Sequence, residues 1–189
     1  MRKKHAAAIA ILALVGIPFW ILLGTGKREP VYEGKPLSYW LSDFWPNASK
    51  ATPHKLQHDR IAVRDIGTNA IPILLEWIAA RDGPLKKRMV TWISQHPRVP
   101  FRILSSIDKN MLACSGFSIL GTNQAASAVP SLVEIVRNGR GEKMSPNGMT
   151  FAMWSLRELA PEAATKAQAS VETNPNPISV STLTITTNK

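Results

Sequence analysis

Only one cysteine, Cys114, occurs among the 189 residues, so no intrachain disulfide can form. Familiar catalytic signatures are missing too. There is no H-E-x-x-H, no G-x-S-x-G and no G-x-G-x-x-G, and no glycine-rich stretch ends in the Gly-Lys-Ser/Thr of a phosphate loop. Acidic residues are few: 13 Asp and Glu stand against 23 Lys and Arg, a formal net charge of +10. Residues 31–189 alone hold 18 cations and 12 anions, which leaves +6. A moderately basic body suits acidic surfaces in general and names none of them. Cys114 falls inside an apolar helical pattern and reads as a small buried residue. A nucleophilic role would need a neighbouring base.

What is present begins with an uncharged run. Residues 6–24 carry no charge over nineteen positions, between Arg2, Lys3 and Lys4 on one side and Lys27 and Arg28 on the other. At 1.5 Å per residue such a helix is about 28 Å long, close to the hydrocarbon thickness of a bilayer. The larger N-terminal cluster of cations puts the N-terminus in the cytoplasm and the body outside it. We therefore expect residues 1–26 to be a transmembrane anchor or signal segment. The alternative is a secreted or periplasmic body released by cleavage near Gly24-Thr25-Gly26, although a cleaved signal usually has a shorter apolar core.

A motif then occurs twice. Ile66-Gly67-Thr68-Asn69 is followed by Ala70-Ile71-Pro72-Ile73-Leu74-Leu75-Glu76-Trp77-Ile78, and Leu120-Gly121-Thr122-Asn123 by Ala128-Val129-Pro130-Ser131-Leu132-Val133-Glu134-Ile135-Val136. Ile71, Leu74, Leu75 and Ile78 fall at i, i+3, i+4, i+7, as do Val129, Leu132, Val133 and Val136. Each set lays one apolar stripe on a helix. Asn69 and Ser127 are candidate N-caps. Pro72 and Pro130 sit in a first turn, where a missing N–H breaks no bond. Gly67 and Gly121 suit the left-handed residue that ends a preceding helix. Those preceding helices carry Leu56, Val63 and Ile66, and then Leu112, Gly116, Ile119 and Leu120. Gln124-Ala125-Ala126-Ser127 adds about one helical turn to the second copy. A third, looser copy has Met149, Ala152, Met153 and Leu156, then Leu159-Ala160-Pro161-Glu162. Its second helix offers little but alanine, as a terminal cap would.

On these residues the chain resembles the HEAT-repeat family across 55–169. The step from Gly67 to Gly121 is 54 residues, longer than the ~40 of that class. The resemblance implies an all-α fold, a short HEAT-like α-solenoid of about three helical-hairpin repeats, here preceded by one N-terminal hydrophobic helix. It implies a binding surface and no particular ligand. Expected boundaries are 1–26 for the anchor, 27–37 for a linker rich in turn formers, 38–169 for the solenoid and 170–189 for a disordered tail rich in Ser, Thr and Asn.

The segment between the first two copies is the candidate binding surface. Arg81, Lys86, Lys87, Arg88, Arg98 and Arg102 outnumber Asp82 and Asp108 there. Leu85, Met89, Trp92 and Ile93 at i, i+4, i+7, i+8 predict an amphipathic helix with a basic back, which can be a solvated face or can attract anionic lipid or an acidic partner. Near the start of the body, Ser38 is a candidate cap for a short helix bearing Trp40, Leu41 and Phe44, with its aromatics covering the open end of the first repeat. His54 and His58, four apart, read as exposed residues at a helix start rather than as metal ligands.

The composite expectation is a non-catalytic protein-binding or scaffolding module held at a membrane through residues 6–24, with no cofactor and no metal, acting on protein partners. Two other readings stand beside it. One is an enzyme accessory of the HEAT-like lyase type. The other is a nucleic-acid-binding solenoid that uses residues 81–109, which a body outside the cytoplasm argues against.

Overall fold

The computed structural model describes residues 28–45, 51–96, 103–138 and 146–173. The apolar stretch 6–24, Arg98 and Arg102, the glycine-bearing loop 139–145 and the tail from 174 onward lie outside the described residues. Among the described residues no helix is long and apolar enough to cross a membrane.

The body begins earlier than the sequence suggests. Within the expected linker, Val31–Tyr32 and Lys35–Pro36 pair as a minimal antiparallel hairpin. Its turn is Glu33-Gly34, both at positive φ, as such tight turns require. Helix α1, Leu37–Leu41, follows at once. Ser38 does not cap it: Ser38 lies inside the first turn, and its N–H donates to the Glu29 carboxylate at 2.8 Å. Trp40 is buried, and its indole N–H donates to the Tyr32 and Lys35 carbonyls, each at 3.3 Å. The hairpin and α1 thus hold one another, and α1 buries Leu37, Trp40 and Leu41 in the core.

Helix α2, Pro53–Ile66, starts at Thr52, whose hydroxyl accepts from Lys55 N–H. It stops at Gly67, at φ 58 and ψ −138. Helix α3, Ile71–Ile78, is entered through a single 3₁₀ turn, Gly67–Ala70. A basic helix, α4, runs Pro84–Gln95. Helix α5, Ser106–Ala125, opens with a complete capping box: Ser105 Oγ accepts from Asp108 N–H, and the Asp108 carboxylate accepts from Ser105 N–H. Gly121 breaks α5 at φ 68 and ψ 179. A 3₁₀ turn, Ala126–Ala128, leads into α6, Val129–Asn138. Helices α7, Pro146–Leu159, and α8, Pro161–Thr173, complete the described chain, which is all-α apart from the hairpin.

Three expectations about the motif change in detail. Both glycines have the positive φ foreseen, but ψ near the extended range puts them in a basin almost exclusive to glycine rather than in the left-handed helical one. Asn69 is not a cap: Ala70 holds that position and makes no side-chain cap bond. The 3₁₀ turn takes up the entry N–H groups instead, and the same turn stands before α6, so Ser127 is bypassed as well. The last helix runs on to Thr173, so residues 170–173 belong to the body rather than to the tail.

The helices of the first copy do not run alongside one another. α2 and α3 each pack against α5, and α5 in turn packs against α7. α6 lies on both α7 and α8. The first copy therefore sits directly on the second, and α4 does not come between them. One contiguous apolar cluster runs from Leu37 through Leu74, Trp77, Phe117 and Leu132 to Ala167. Leu74 and Leu132, the central residues of the two stripes, are both fully buried.

Long-range polar bonds fix this arrangement. The Asn110 amide, buried in α5, donates to the Trp77 and Ile78 carbonyls at 2.7 and 2.9 Å and so closes the C-terminus of α3. Arg64 Nε donates to the Ile119 carbonyl, and Gln124 Nε2 returns a bond to the Arg64 carbonyl. Gln124 lies in the turn inserted after Gly121, so that insertion ties the second copy to the first.

Candidate functional site: a polar cleft between α2 and α5

Along α2 the buried face is Asp59, Ala62, Val63 and Ile66. Arg60 and Arg64 fall i, i+4 on the opposite, exposed side and so point the same way. The facing surface of α5 presents Cys114, Ser115 and Ser118 above Ile119. Phe44, from the segment after α1, and Glu158 of α7 complete the lining. Together they line an open cleft of about 350 Å³.

The charges in this cleft are arranged asymmetrically. The Arg60 guanidinium lies over the Phe44 ring at 5.7 Å. Arg64 spends its Nε on the Ile119 carbonyl, which leaves the outer nitrogens of its fork toward the cleft. Among the described residues neither arginine is ion-paired with a carboxylate. Opposite them, Ser118 Oγ donates to Glu158 Oε1 at 2.7 Å. Burial pushes the Cys114 thiol above its ordinary range, the Ser155 hydroxyl opposes that through a hydrogen bond, and the Glu158 charge adds to the rise. A thiol held protonated is a poor nucleophile. The cleft presents two guanidinium groups, an aromatic ring, hydroxyls and one carboxylate.

The predicted surface is placed elsewhere. Arg81 is exposed on the loop after α3, and Lys87 and Arg88 are exposed on α4. Lys86 is taken up by Asp82 at 2.6 Å. Asp82 is buried and also accepts from Ser106 N–H at 2.7 Å. Burial raises its carboxyl, but Lys86 and the Ser106 bond outweigh that and hold it below the usual carboxylate range. These basic residues do not converge on the cleft. Sequence reasoning missed Arg60, Arg64, Ser115, Ser118 and Glu158. The i, i+4 arginine pair on the polar side of α2 was the available signal.

Among the described residues no three His, Cys, Asp or Glu side chains come together to hold a metal ion. His54 and His58 are exposed, with the His58 ring tilted against Trp40 at 5.5 Å. A second groove of about 300 Å³ lies at the far end, among Val136, Met149, Met153, Trp154 and Val171. No protein-family model, no curated protein and no solved structure matches the chain.

Proposed function

We propose that the chain is a short HEAT-like solenoid serving as a non-catalytic protein-binding or scaffolding module, held at a membrane by residues 6–24. The cleft between α2 and α5 seats a carboxylate-bearing segment of the protein partner. Support for the solenoid comes from the two matched copies, each with a positive-φ glycine, a 3₁₀ turn and a proline in the first turn of the next helix. Support for the anchor comes from the uncharged length of residues 6–24 and the cations around it.

The observation that carries the binding role is the Arg60–Arg64 pair, free of carboxylate partners among the described residues and facing a wall with hydroxyls and Glu158. Guanidinium forks match carboxylate geometry, and the Phe44 ring supplies apolar area at the mouth. Glu158 and Ser118 add a preference for a donor on the partner segment. The test is a photoreactive amino acid at Ser115, with a matched one at Thr165 on α8, in the full chain within its native membrane. A protein adduct from position 115 that disappears in Arg60→Glu/Arg64→Glu supports the reading. No adduct, or the same adduct from both positions, overturns it.

A further inference from the structure

Helix α4 is the one described helix of more than two turns that buries no residue at all. Leu85 is 61% exposed and Trp92 53%, and Met89 and Ile93 are only half-covered, apart from the apolar core. A lone twelve-residue helix is marginal in water, and an uncovered apolar stripe of this kind marks an interaction site. The foot of α4 is nevertheless held firmly. Asp82, just before it, is bonded both to Ser106 N–H at the start of α5 and to Lys86 in the first turn of α4. Helix α4 therefore starts from a clamped point beside the start of α5, with the stripe beyond that clamp.

The charge of this segment is of one sign. Between Asp82 and Asp108 the sequence has five Lys and Arg and no Asp or Glu. At 100° per residue Lys86 lies beside Ile93 and Arg88 beside Trp92, one cation at each edge of the stripe. Cations flanking a stripe that contains tryptophan form the pattern of a helix lying in the headgroup region of a bilayer, with its long basic side chains reaching outward.

Placement favours the same occupant. The described chain starts at Arg28, four residues after Gly24 closes the uncharged run. Four residues span at most about 14 Å. Burial lowers the Lys109 ammonium most, Lys86 lowers it further, and Glu76, Glu29 and Asp82 oppose them, so Glu29, near the start of the described chain, and the foot of α4 both lie within electrostatic reach of Lys109.

We infer that α4 is an interfacial helix that lies on an anionic phospholipid bilayer, its Leu85–Met89–Trp92–Ile93 stripe among the outer acyl carbons and its Arg88 edge toward the headgroup phosphates. This inference rests on the membrane-held reading above, and the experiment separates the two. In a Cys114→Ser background, Met89→Cys carries an environment-sensitive fluorophore, and Thr165→Cys carries it in a control. The full chain is incorporated into vesicles of phosphatidylglycerol and phosphatidylcholine, or of phosphatidylcholine alone, with and without brominated acyl chains.

The expected result is at least twofold quenching by brominated lipid at position 89 in the anionic vesicles, reduced in phosphatidylcholine alone and by Lys87→Glu/Arg88→Glu, with position 165 unquenched. Vesicle association that survives alkaline carbonate while position 89 stays unquenched overturns the inference and leaves the anchor standing. Quenching at 89 in protein that carbonate strips away upholds α4 and overturns the anchor. Failure to float with the anionic vesicles overturns both. A disulfide-linked dimer through Met89→Cys, without quenching, overturns the inference in favour of a second copy as the occupant.

Discussion

Leu74 of α3 reaches so far over Gly116 of α5 that its Cδ2 stands 2.7 Å from where a β-carbon on Gly116 would be, and its Cδ1 3.0 Å. The glycine is what lets the first copy seat on the second at this depth. Leu41 of α1 closes the same spot at 3.4 Å, so three helices meet over one missing methyl group. Gly116→Ala gains helix propensity, about 1 kcal/mol, but forces a fully buried leucine to move in a filled core, at about 1–3 kcal/mol. The expected outcome in chemical denaturation is a net loss for Gly116→Ala and a larger one for Gly116→Val. Leu74→Ala alone costs about 2–5 kcal/mol. Combined with Gly116→Ala it costs clearly less than the sum, because the cavity admits the new methyl. Additive costs would show that the two residues do not share that space.

The two chain breaks make a second prediction. A β-carbon on Gly121 would meet nothing within 4 Å, and one on Gly67 only the Gln124 amide at 3.9 Å. Any cost of Gly67→Ala or Gly121→Ala is therefore backbone strain at φ 58 and φ 68, about 1–3 kcal/mol each. Ala160, at the matching position of the third copy, has no positive φ, so Ala160→Gly is expected to bring a slight loss rather than a gain. Thermal unfolding of the three variants measures this directly. A neutral Gly121→Ala would mean that the chain passes through the position in an ordinary helical conformation.

These positions also mark how far the sequence could be read. The stripes were legible because burial follows the 3.6-residue period: Ile71, Leu74, Ile78, Leu132 and Val136 are all buried. The glycines were legible because few other residues serve at a break. Asn110 and Asp82 gave no such sign. Each acts through a bond to backbone 24 or more residues away, and a single long-range polar contact leaves no periodic trace. The cleft was hidden for a related reason: Arg60, Ser118 and Glu158 come from three helices, and only packing brings them together. The caps at Asn69 and Ser127 were misread because a 3₁₀ turn leads into each helix before either side chain is needed.

Asn110 tests the worth of one such contact. Its amide group serves two carbonyls at the end of α3 in a fully buried setting. Asn110→Ala removes the donor to the Ile78 carbonyl, while the Trp77 carbonyl keeps its bond from Ala80 N–H at 3.1 Å, and a buried orphan costs about 1–3 kcal/mol. Asn110→Leu fills the volume but restores neither side-chain bond, so it is expected to rescue little. If Asn110→Leu restored the stability of the parent chain, the bonds would have to be worth far less than their burial implies.

Asp82 predicts a pH dependence. Its carboxyl is held below the ordinary range by Lys86 and by Ser106 N–H, against the opposing effect of burial. A depressed carboxyl pKa means that the unfolded chain binds the proton more readily than the folded one. The stabilisation is therefore present above the unfolded pKa of about 3.9, and it is lost as pH falls from there through the lower folded value. Asp82→Asn should lower stability at neutral pH by about 1–3 kcal/mol and make the acid limb of the stability curve shallower. Because Asp82 also fixes the foot of α4, the variant should expose residues 83–105 to limited proteolysis at neutral pH. An unchanged acid limb would show that Asp82 is not ion-paired in solution.

Cys114 gives a readout of the cleft itself. Burial, the largest influence, keeps its thiol protonated at pH values where a free cysteine has begun to ionise, and the thiolate is the reactive form. Iodoacetamide should therefore modify the native chain several-fold more slowly than the denatured chain at pH 8, with the rate rising at higher pH than for a free thiol. Arg60 and Arg64 line the same cleft, so a carboxylate-bearing peptide seated there should slow the reaction further. The protection should vanish in Arg60→Ala/Arg64→Ala. Removing Arg64 also deletes its bond to the Ile119 carbonyl, at about 0.5–1.5 kcal/mol, so Arg60→Ala alone is the cleaner variant for separating binding from stability. Alkylation of the native chain as fast as of the unfolded one would mean that Cys114 does not lie in a closed wall, and the cleft would lose its floor.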